Sequence, residues 1–274
     1  MPSPSTSSQT TSSKIPPLLG PHLLSGPAAT DAGSLTVVTS VQGASANWLL
    51  LRYVLALVQR SEGAAADEDV GVLLASFLRD GAFWRDGGLR IGLNIDALVK
   101  AGRVGIVDGL TGLFTGDAPP TSQAGDTVLQ SAALADVKTQ LETAMDRLRA
   151  SRKVLMMDGL DALVAMAPES GGAGSSASLA AEKLLLSLRE RSFSTVLAMA
   201  GDSPLIQHAS TTLEKTHAAL VLGQAHAADE VVSLRQLDTG AAGDVSGVMR
   251  VGDGREVLYY VAADGGVRVF ERGA

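Results

Sequence analysis

Leu35-Thr-Val-Val-Thr-Ser-Val41 opens the stretch of sequence that decides the fold. It is a short run of β-branched and apolar residues, which predicts a strand. Gln42-Gly-Ala-Ser-Ala-Asn47 comes next, followed by Trp48-Leu-Leu-Leu-Arg-Tyr-Val-Leu-Ala-Leu-Val58, an apolar run long enough for a helix. A strand, a loop containing glycine and a helix in this order are typical of a phosphate-binding loop.

The loop lacks the residues that hold phosphate. The pattern G-x-x-x-x-G-K-[ST] puts Ser40 and Ser45 at its two glycines, Ala46 at its lysine and Asn47 at its hydroxyl residue, which leaves Gly43 as the only glycine of the loop. Ala46 cannot neutralise phosphate charge, and Ser45 adds a Cβ where the backbone approaches the ligand. The sequence therefore predicts a degenerate phosphate loop that binds no cofactor and hydrolyses no ATP alone.

The composition fits one large α/β domain. The chain has 274 residues, 46% of them hydrophobic, which is enough for a sizeable core. It has no cysteine, which excludes thiol chemistry and fits an intracellular location, and its net charge of −7 offers no general attraction for nucleic acid. No uncharged apolar run approaches the roughly 18 residues of a membrane span. Residues 1–33 are rich in Ser, Thr, Pro and Gly, so we expect a disordered tail there and a single domain over 34–274.

Apolar runs and amphipathic segments alternate along the chain. This alternation implies right-handed crossovers and a mostly parallel sheet with helices on both faces. Strands are predicted at residues 35–41, 70–78, 103–108, 153–158, 194–200 and 218–223, and helices at 48–58, 82–91, 95–101, 127–151, 179–191 and 204–215. Four more predicted strands, at 231–237, 245–251, 256–262 and 267–270, are joined by Gly/Asp turns and are expected to be antiparallel.

Two further stretches resemble RecA-type ATPases. Asp80-Gly-Ala-Phe-Trp-Arg-Asp-Gly-Gly-Leu-Arg-Ile-Gly-Leu-Asn-Ile-Asp-Ala-Leu98 resembles the segment after the second core strand of that family, which begins at the catalytic glutamate. Val154-Leu-Met-Met-Asp-Gly-Leu-Asp-Ala-Leu163 resembles the family's hydrophobic strand that ends in a metal-associated aspartate. The resemblance implies a RecA-like fold.

More specific stretches narrow the resemblance. They are Ser76-Phe-Leu-Arg-Asp-Gly-Ala-Phe-Trp84, Arg90-Ile-Gly-Leu93 and Val107-Asp-Gly-Leu-Thr-Gly-Leu-Phe114, all behind a phosphate loop without lysine. In this order they are similar to the sixth-subunit family of the eukaryotic Elongator complex, over about residues 35–223.

The resemblance implies assembly in place of catalysis. Elongator subunits four, five and six are RecA-like paralogues that form a hetero-hexameric ring with two copies of each. The ring binds transfer RNA and assists the larger complex in modifying wobble uridines, in the cytoplasm and also in the nucleus. The alternative is a regulatory nucleotide-binding module whose composite site is completed by a partner.

Two carboxylates allow both a catalytic and a structural interpretation. The resemblance places Asp80 where RecA-type enzymes have the glutamate that activates water, and Asp158 where they have the carboxylate behind Mg²⁺. Without the phosphate-loop lysine we favour structural roles. Asp80 is then expected to cap a helix, and Asp158 to accept hydrogen bonds from neighbouring backbone N–H groups.

Two groups of residues are candidates for contact with partner subunits. Trp48 belongs to an apolar helix with more apolar surface than one core-facing stripe requires, which fits a buried central helix or an interface. Phe83, Trp84 and Arg85 combine aromatic and arginine side chains, a combination enriched at interface centres. Ordinary core packing is the other interpretation of the aromatic pair.

A loop over residues 167–178 is the candidate for contact with RNA. Loops after the central strands of RecA-like rings face the pore, and here Gly171, Gly172, Ser175 and Ser176 offer backbone N–H and hydroxyl donors. The loop has no lysine or arginine, so we expect it to supply a minor share of the affinity for RNA.

Two other classes of protein fit poorly. Gly43-Ala-Ser-Ala-Asn47 is one residue from the nucleophile pattern G-x-S-x-G, but its second glycine is missing, and His208 is an undistinguished acid–base partner. The four histidines form no i, i+4 pair, so no metal site is expected.

Overall fold

The structure is a computed structural model that describes residues 14–61, 65, 67–114, 125–167, 177–238, 240, 242–252 and 254–271. Its strands are β1 (Ser34–Ser40), β2 (Val70–Ser76), β3 (Val104–Asp108), β4 (Thr127–Val128), β5 (Arg152–Asp158), β6 (Ser194–Ala200), β7 (Glu230–Arg235), β8 (Gly247–Val251), β9 (Glu256–Val261) and β10 (Val267–Glu271). Its helices are α1 (Gly20–Leu24), α2 (Pro27–Thr30), α3 (Asn47–Ser61), α4 (Gly81–Arg90), α5 (Ile95–Lys100), α6 (Thr111–Phe114), α7 (Leu134–Asp146), α8 (Leu160–Met166), α9 (Ala177–Glu190), α10 (Ser203–Gln207) and α11 (Thr212–Ala227).

The strands form one sheet in the order β10-β9-β8-β7-β1-β6-β5-β2-β3-β4. All pairs from β7 to β4 along this order are parallel, and the pairs β7–β8, β8–β9 and β9–β10 are antiparallel. Strand β7 therefore joins the two parts, because it runs parallel to β1 on one side and antiparallel to β8 on the other. The predicted architecture, a mostly parallel sheet with antiparallel C-terminal strands, is confirmed.

Apolar side chains of the central strands alternate between two faces. In β1, Leu35 and Val37 belong to one apolar cluster and Val38 to the other, as the period of a strand requires. Helices α3, α4 and α5 contribute to the cluster of Val38, and α7, α8, α9 and α11 contribute to the opposite one. Helices cover both faces, which is why the strands read as unbroken apolar runs in the sequence.

Helix α3 is the buried central helix of its layer. Its residues from Leu49 to Val58 are all buried, including the polar Arg52. Side chains from α1, α2 and the C-terminal strands belong to the same cluster. This burial confirms the central-helix interpretation of the apolar surplus, since the surplus is used inside the chain.

The predicted disordered tail over residues 1–33 is wrong for the part that the structure describes. Leu19, Leu23, Ala28 and Ala29 are at most 2% exposed. Hydrogen bonds also hold this segment, from Ser194 Oγ to the carbonyl of Ala28 at 2.6 Å and from Arg60 Nη1 to that of Leu24 at 2.7 Å. Its average composition is polar, but its few leucines cover the outer side of α3. Residues 1–13 lie outside the described ranges.

The predicted strand at residues 218–223 is also wrong, because these residues belong to α11. A capping box begins this helix: Thr211 Oγ1 accepts from Glu214 N at 3.2 Å, and Glu214 Oε2 accepts from Thr211 N at 2.8 Å. The predicted helix over 204–215 divides into α10 and the start of α11, and the one over 127–151 begins only at Leu134, after β4. A short apolar run does not distinguish a strand from a buried helix segment.

No helix in the described part of the chain is long and apolar enough to cross a membrane.

Candidate functional site

The loop between β1 and α3 is the position of the degenerate phosphate loop. Gly43 lies within it with φ of +84°, a conformation that favours glycine. A Cβ on Gly43 would also collide with the side chain of Gln236, which lies beyond β7. Ser40 ends the strand, and its carbonyl accepts from Gly201 N at 2.8 Å. The loop is thus held closely between the ends of β6 and β7.

The chain's own groups occupy several N–H donors of this loop. Gln42 N donates to Asp202 Oδ1 at 2.9 Å, and Asn47 N donates to Ser45 Oγ at 3.2 Å. Ala44 N donates to a carbonyl inside the loop at 2.9 Å. In an active phosphate loop such donors bind phosphate oxygens. Here a carboxylate, a hydroxyl and a carbonyl accept these hydrogen bonds.

Ala46 takes the place of the phosphate-binding lysine. It is 5% exposed and belongs to the apolar cluster around α3. Its carbonyl accepts from Leu49 N and Leu50 N at 3.0 Å, so it begins the hydrogen bonding of the helix. The position provides no cation for a phosphate group, and the side chain serves packing.

Asp158 ends β5 and is buried, with 3% of its surface exposed. Its Oδ2 accepts from Ser76 Oγ, at the end of β2, at 2.7 Å. Burial raises the pKa of the Asp158 carboxyl, the Ser76 hydrogen bond and the charge of Arg79 oppose this rise, and the charge of Asp161 adds to it. The sequence predicts that Asp158 accepts hydrogen bonds from backbone N–H groups. In the structure it accepts one from the Ser76 hydroxyl instead, because the parallel register aligns Ser76 with Asp158.

Asp80 is the N-cap of α4. Its backbone is extended, with φ of −79° and ψ of 170°, and its side chain accepts from Phe83 N at 2.8 Å. This bond satisfies one of the free N–H groups at the start of the helix, so the predicted cap is confirmed.

Two further carboxylates lie at this edge of the sheet, and no role is predicted for them from the sequence. Asp108 ends β3 and accepts from the N–H groups of Leu110 and Thr111 at 2.9 and 2.8 Å. Asp161 Oδ2 accepts from Ala200 N at 3.2 Å and lies 3.6 Å from His217 Nδ1. A signal existed for Asp108, which ends a buried apolar strand just as Asp158 does. The described residues contain no group of three side chains that could hold a metal ion.

The candidate interface residues differ in exposure. Trp84 is 0% exposed and Arg85 is buried, so these two residues of the predicted anchor are wrong as surface contacts. Phe83 is 38% exposed and lies edge-on to Trp84, with ring centroids 5.4 Å apart. Arg79 stacks over the Phe83 ring at 5.3 Å. Trp48 is half-buried and packs on Tyr259 with ring centroids 4.9 Å apart. Phe83 is therefore the exposed member of the anchor.

The candidate RNA-contact residues Gly171, Gly172, Ser175 and Ser176 lie outside the described residues.

Comparison with known proteins identifies the fold. No protein-family model and no curated protein matches the chain. Among solved structures, it is similar to a KaiC-like protein from the hyperthermophilic archaeon Pyrococcus horikoshii OT3, with a TM-score of 0.62 and 14% sequence identity over 94% of this chain and 97% of that chain. That neighbour has the RecA fold, and at this identity the likeness shows the fold alone. The chain thus has a RecA-like fold, as its sequence predicts.

Proposed function

We propose that the chain is a non-catalytic subunit of the Elongator complex. In this proposal it forms a hetero-hexameric RecA-like ring with subunits four and five, and the ring binds transfer RNA and supports wobble-uridine modification in the cytoplasm and the nucleus. The order of the sequence motifs from residue 76 to residue 114, together with the RecA-like fold, supports the assignment to this complex.

The observation that carries the non-catalytic role is the occupied phosphate loop. Asp202 accepts from the loop N–H of Gln42, and Ala46 is buried where the lysine belongs. Phosphoryl transfer depends on positioning and electrostatic stabilisation of the phosphates. A site without its cation, and with a carboxylate on one of its backbone donors, supplies neither.

Co-expression with Elongator subunits four and five tests the assembly. We expect a complex whose mass, measured by light scattering after gel filtration, corresponds to two copies of each subunit. The chain expressed alone should be prone to aggregation, since it keeps exposed apolar side chains such as Phe83. A monodisperse single chain with no affinity for the other two subunits would contradict the proposal.

A pair of variants makes the assembly test specific. Phe83→Ala removes the exposed aromatic ring beside Arg79 and should weaken the complex by about tenfold or more, as truncation of an interface anchor does. Leu222→Ala is the matched control, because Leu222 is 54% exposed on α11, which covers the opposite face of the sheet. Equal effects of the two variants would remove Phe83 from the interface.

Deletion of residues 171–177 tests the contribution of this subunit to RNA binding. We expect the ring to stay intact and its affinity for transfer RNA to fall by less than about tenfold, or ~1.4 kcal/mol, because the segment has no basic residue. Loss of all binding from an intact ring would make this loop a principal RNA contact. Loss of the ring would make it an interface element.

A further inference from the structure

A cavity of about 460 Å³ lies between the start of α3, helix α4 and the hairpin of β9 and β10. Three aromatic side chains line it, from Trp48, Phe83 and Tyr259. Concave sites of this size with mainly apolar walls and a few polar groups are typical of small-molecule binding sites. The cavity adjoins the degenerate phosphate loop but is lined chiefly by other elements.

The hairpin turn closes one side of the cavity. Gly265 lies in this turn with φ of +85°, and a Cβ there would come within 3.2 Å of the Cβ of Arg90. The turn therefore packs closely on the end of α4. Arg90 Nη1 donates to the carbonyl of Ala263 across this contact at 3.3 Å.

Arg52 is an uncompensated cation in the wall of the cavity. It is 3% exposed, and its Nη2 donates to the carbonyl of Gly265 at 2.7 Å. Its Nε is buried without a hydrogen-bond partner. Burial lowers the pKa of the Arg52 guanidinium. Burying a charge without an opposite charge beside it costs free energy. A bound anion would therefore stabilise the Arg52 guanidinium.

The described residues do not supply that partner. No carboxylate among them forms an ion pair with Arg52, although Asp86 lines the same cavity. Asp86 is exposed on α4, and Arg90 on the same helix also lines the cavity and carries the opposite charge. The net charge of the side chains that line the cavity is therefore set by Arg52 and is positive.

We propose that this cavity binds a small organic anion with a flat apolar body. The apolar body lies among Trp48, Phe83 and Tyr259, and the carboxylate or phosphate group of the ligand accepts hydrogen bonds from Arg52. Aromatic walls pack well against a planar ring. The planar guanidinium of arginine matches the geometry of a carboxylate or phosphate group, whose oxygens accept its hydrogen bonds. The cavity shares Phe83 with the proposed ring interface, and Gly43, Ser45 and Asn47 of the phosphate loop also line it.

Calorimetric titration of the full chain tests the site with three matched probes. 2-Naphthoate and 2-naphthyl phosphate carry the anion, and uncharged 2-naphthalenemethanol carries the same ring without it. We expect one anion per chain, bound at least about tenfold more tightly than the alcohol, or ~1.4 kcal/mol. The tighter of the two anions tells whether the site prefers a carboxylate or a phosphate.

Three variants decide what the affinity depends on. Arg52→Gln should weaken both anions by about tenfold and change the alcohol by less than about twofold. Ala263→Trp, which adds a large apolar side chain to the turn that lines the cavity and keeps Arg52, should weaken all three probes. Arg268→Gln removes an arginine that stacks on Tyr260 outside the cavity, and it should change none of them.

Several results would overturn the proposal. One is equal affinity of the wild-type chain for the anions and the alcohol, and another is binding that Ala263→Trp leaves unchanged. Should Arg52→Gln fail to fold, Ala263→Trp still tests the location and the comparison of probes on the wild-type chain still tests the charge.

Discussion

Substitution of Arg85 by methionine should destabilise the chain more than loss of any ordinary surface ion pair. Arg85 binds both oxygens of Asp126, with Nη1–Oδ2 and Nη2–Oδ1 distances of 2.6 Å, and the two side chains are 5% and 4% exposed. Its Nε also donates to Asp96 at 2.6 Å. The hydrogen bond with Asp126 is the main reason that the pKa of the Arg85 guanidinium is raised.

The magnitude follows from what the substitution leaves behind. Removing one partner of a buried ion pair costs about 3–5 kcal/mol, because the other charge stays buried and unpaired. Asp96 is 53% exposed, so its share is only about 0–1 kcal/mol. We expect Arg85→Met to lower the free energy of unfolding by about 4 kcal/mol in urea titrations, and the melting temperature by roughly 10 °C.

The control and the paired variant make this prediction testable. Arg191→Met breaks an exposed pair with Asp146, whose side chains are 45% and 61% exposed, and should cost under about 1 kcal/mol. Arg85→Met combined with Asp126→Leu should recover part of the loss, since no unpaired charge remains. Equal effects of Arg85→Met and Arg191→Met, or a double variant less stable than Arg85→Met, would refute the reasoning.

Three shorter predictions follow from the same structure. Calorimetry should show that the isolated chain binds ATP weakly or not at all, and micromolar, Mg²⁺-dependent binding that is lost in Asp158→Ala would contradict the inactive site. Asp158→Asn should raise the free energy of unfolding at pH 8 and leave it unchanged near pH 3, because a raised pKa in the folded chain adds stability at low pH that is lost as the pH rises through that value; a constant difference across a pH series of urea titrations would refute it. Leu23→Ala should cost about 2–5 kcal/mol, since Leu23 is 1% exposed in the core beside α3, whereas His22→Ala on the same short helix should cost less.

The central strands could be predicted from the sequence because both of their faces are buried. The predicted boundaries of β1, β2, β3, β5 and β6 agree with the structure to within two residues. A fully covered strand has a continuous apolar run, and turn residues mark its ends. The segment 218–223 has the same kind of run, but its identity as part of α11 depends on the cap formed by Thr211 and Glu214, upstream of the run itself.

Exposure of an aromatic side chain could not be predicted from its neighbours in the sequence. Phe83 and Trp84 are adjacent, yet one is 38% exposed and the other fully buried. Adjacent residues of a helix point about 100° apart, so one can enter the core while the next stays at the surface. Deciding which of them is buried requires knowing what packs on α4.

The sequence predicts which phosphate-binding residues the loop lacks, but it does not predict which group of the chain binds the loop. The absent lysine is visible at Ala46, whereas Asp202, which binds the loop, is 160 residues away from Gln42 in the chain. The order of the sheet brings the two together, because β6 lies beside β1 and both strands end at the same edge. No local pattern around residue 202 indicates this role.

The hydrogen bond from Gln42 N to Asp202 opposes phosphate binding in addition to the absence of the lysine. A phosphate loop without a cation could still bind an anion weakly through its backbone N–H groups. With a carboxylate already on one of those donors, an incoming phosphate would have to displace a like charge, and at short range this repulsion is unfavourable even near a protein surface. The same carboxylate holds the loop without a ligand. The hydrogen bond from Gln42 N to Asp202 thus both stabilises the loop and opposes the approach of an anion to it.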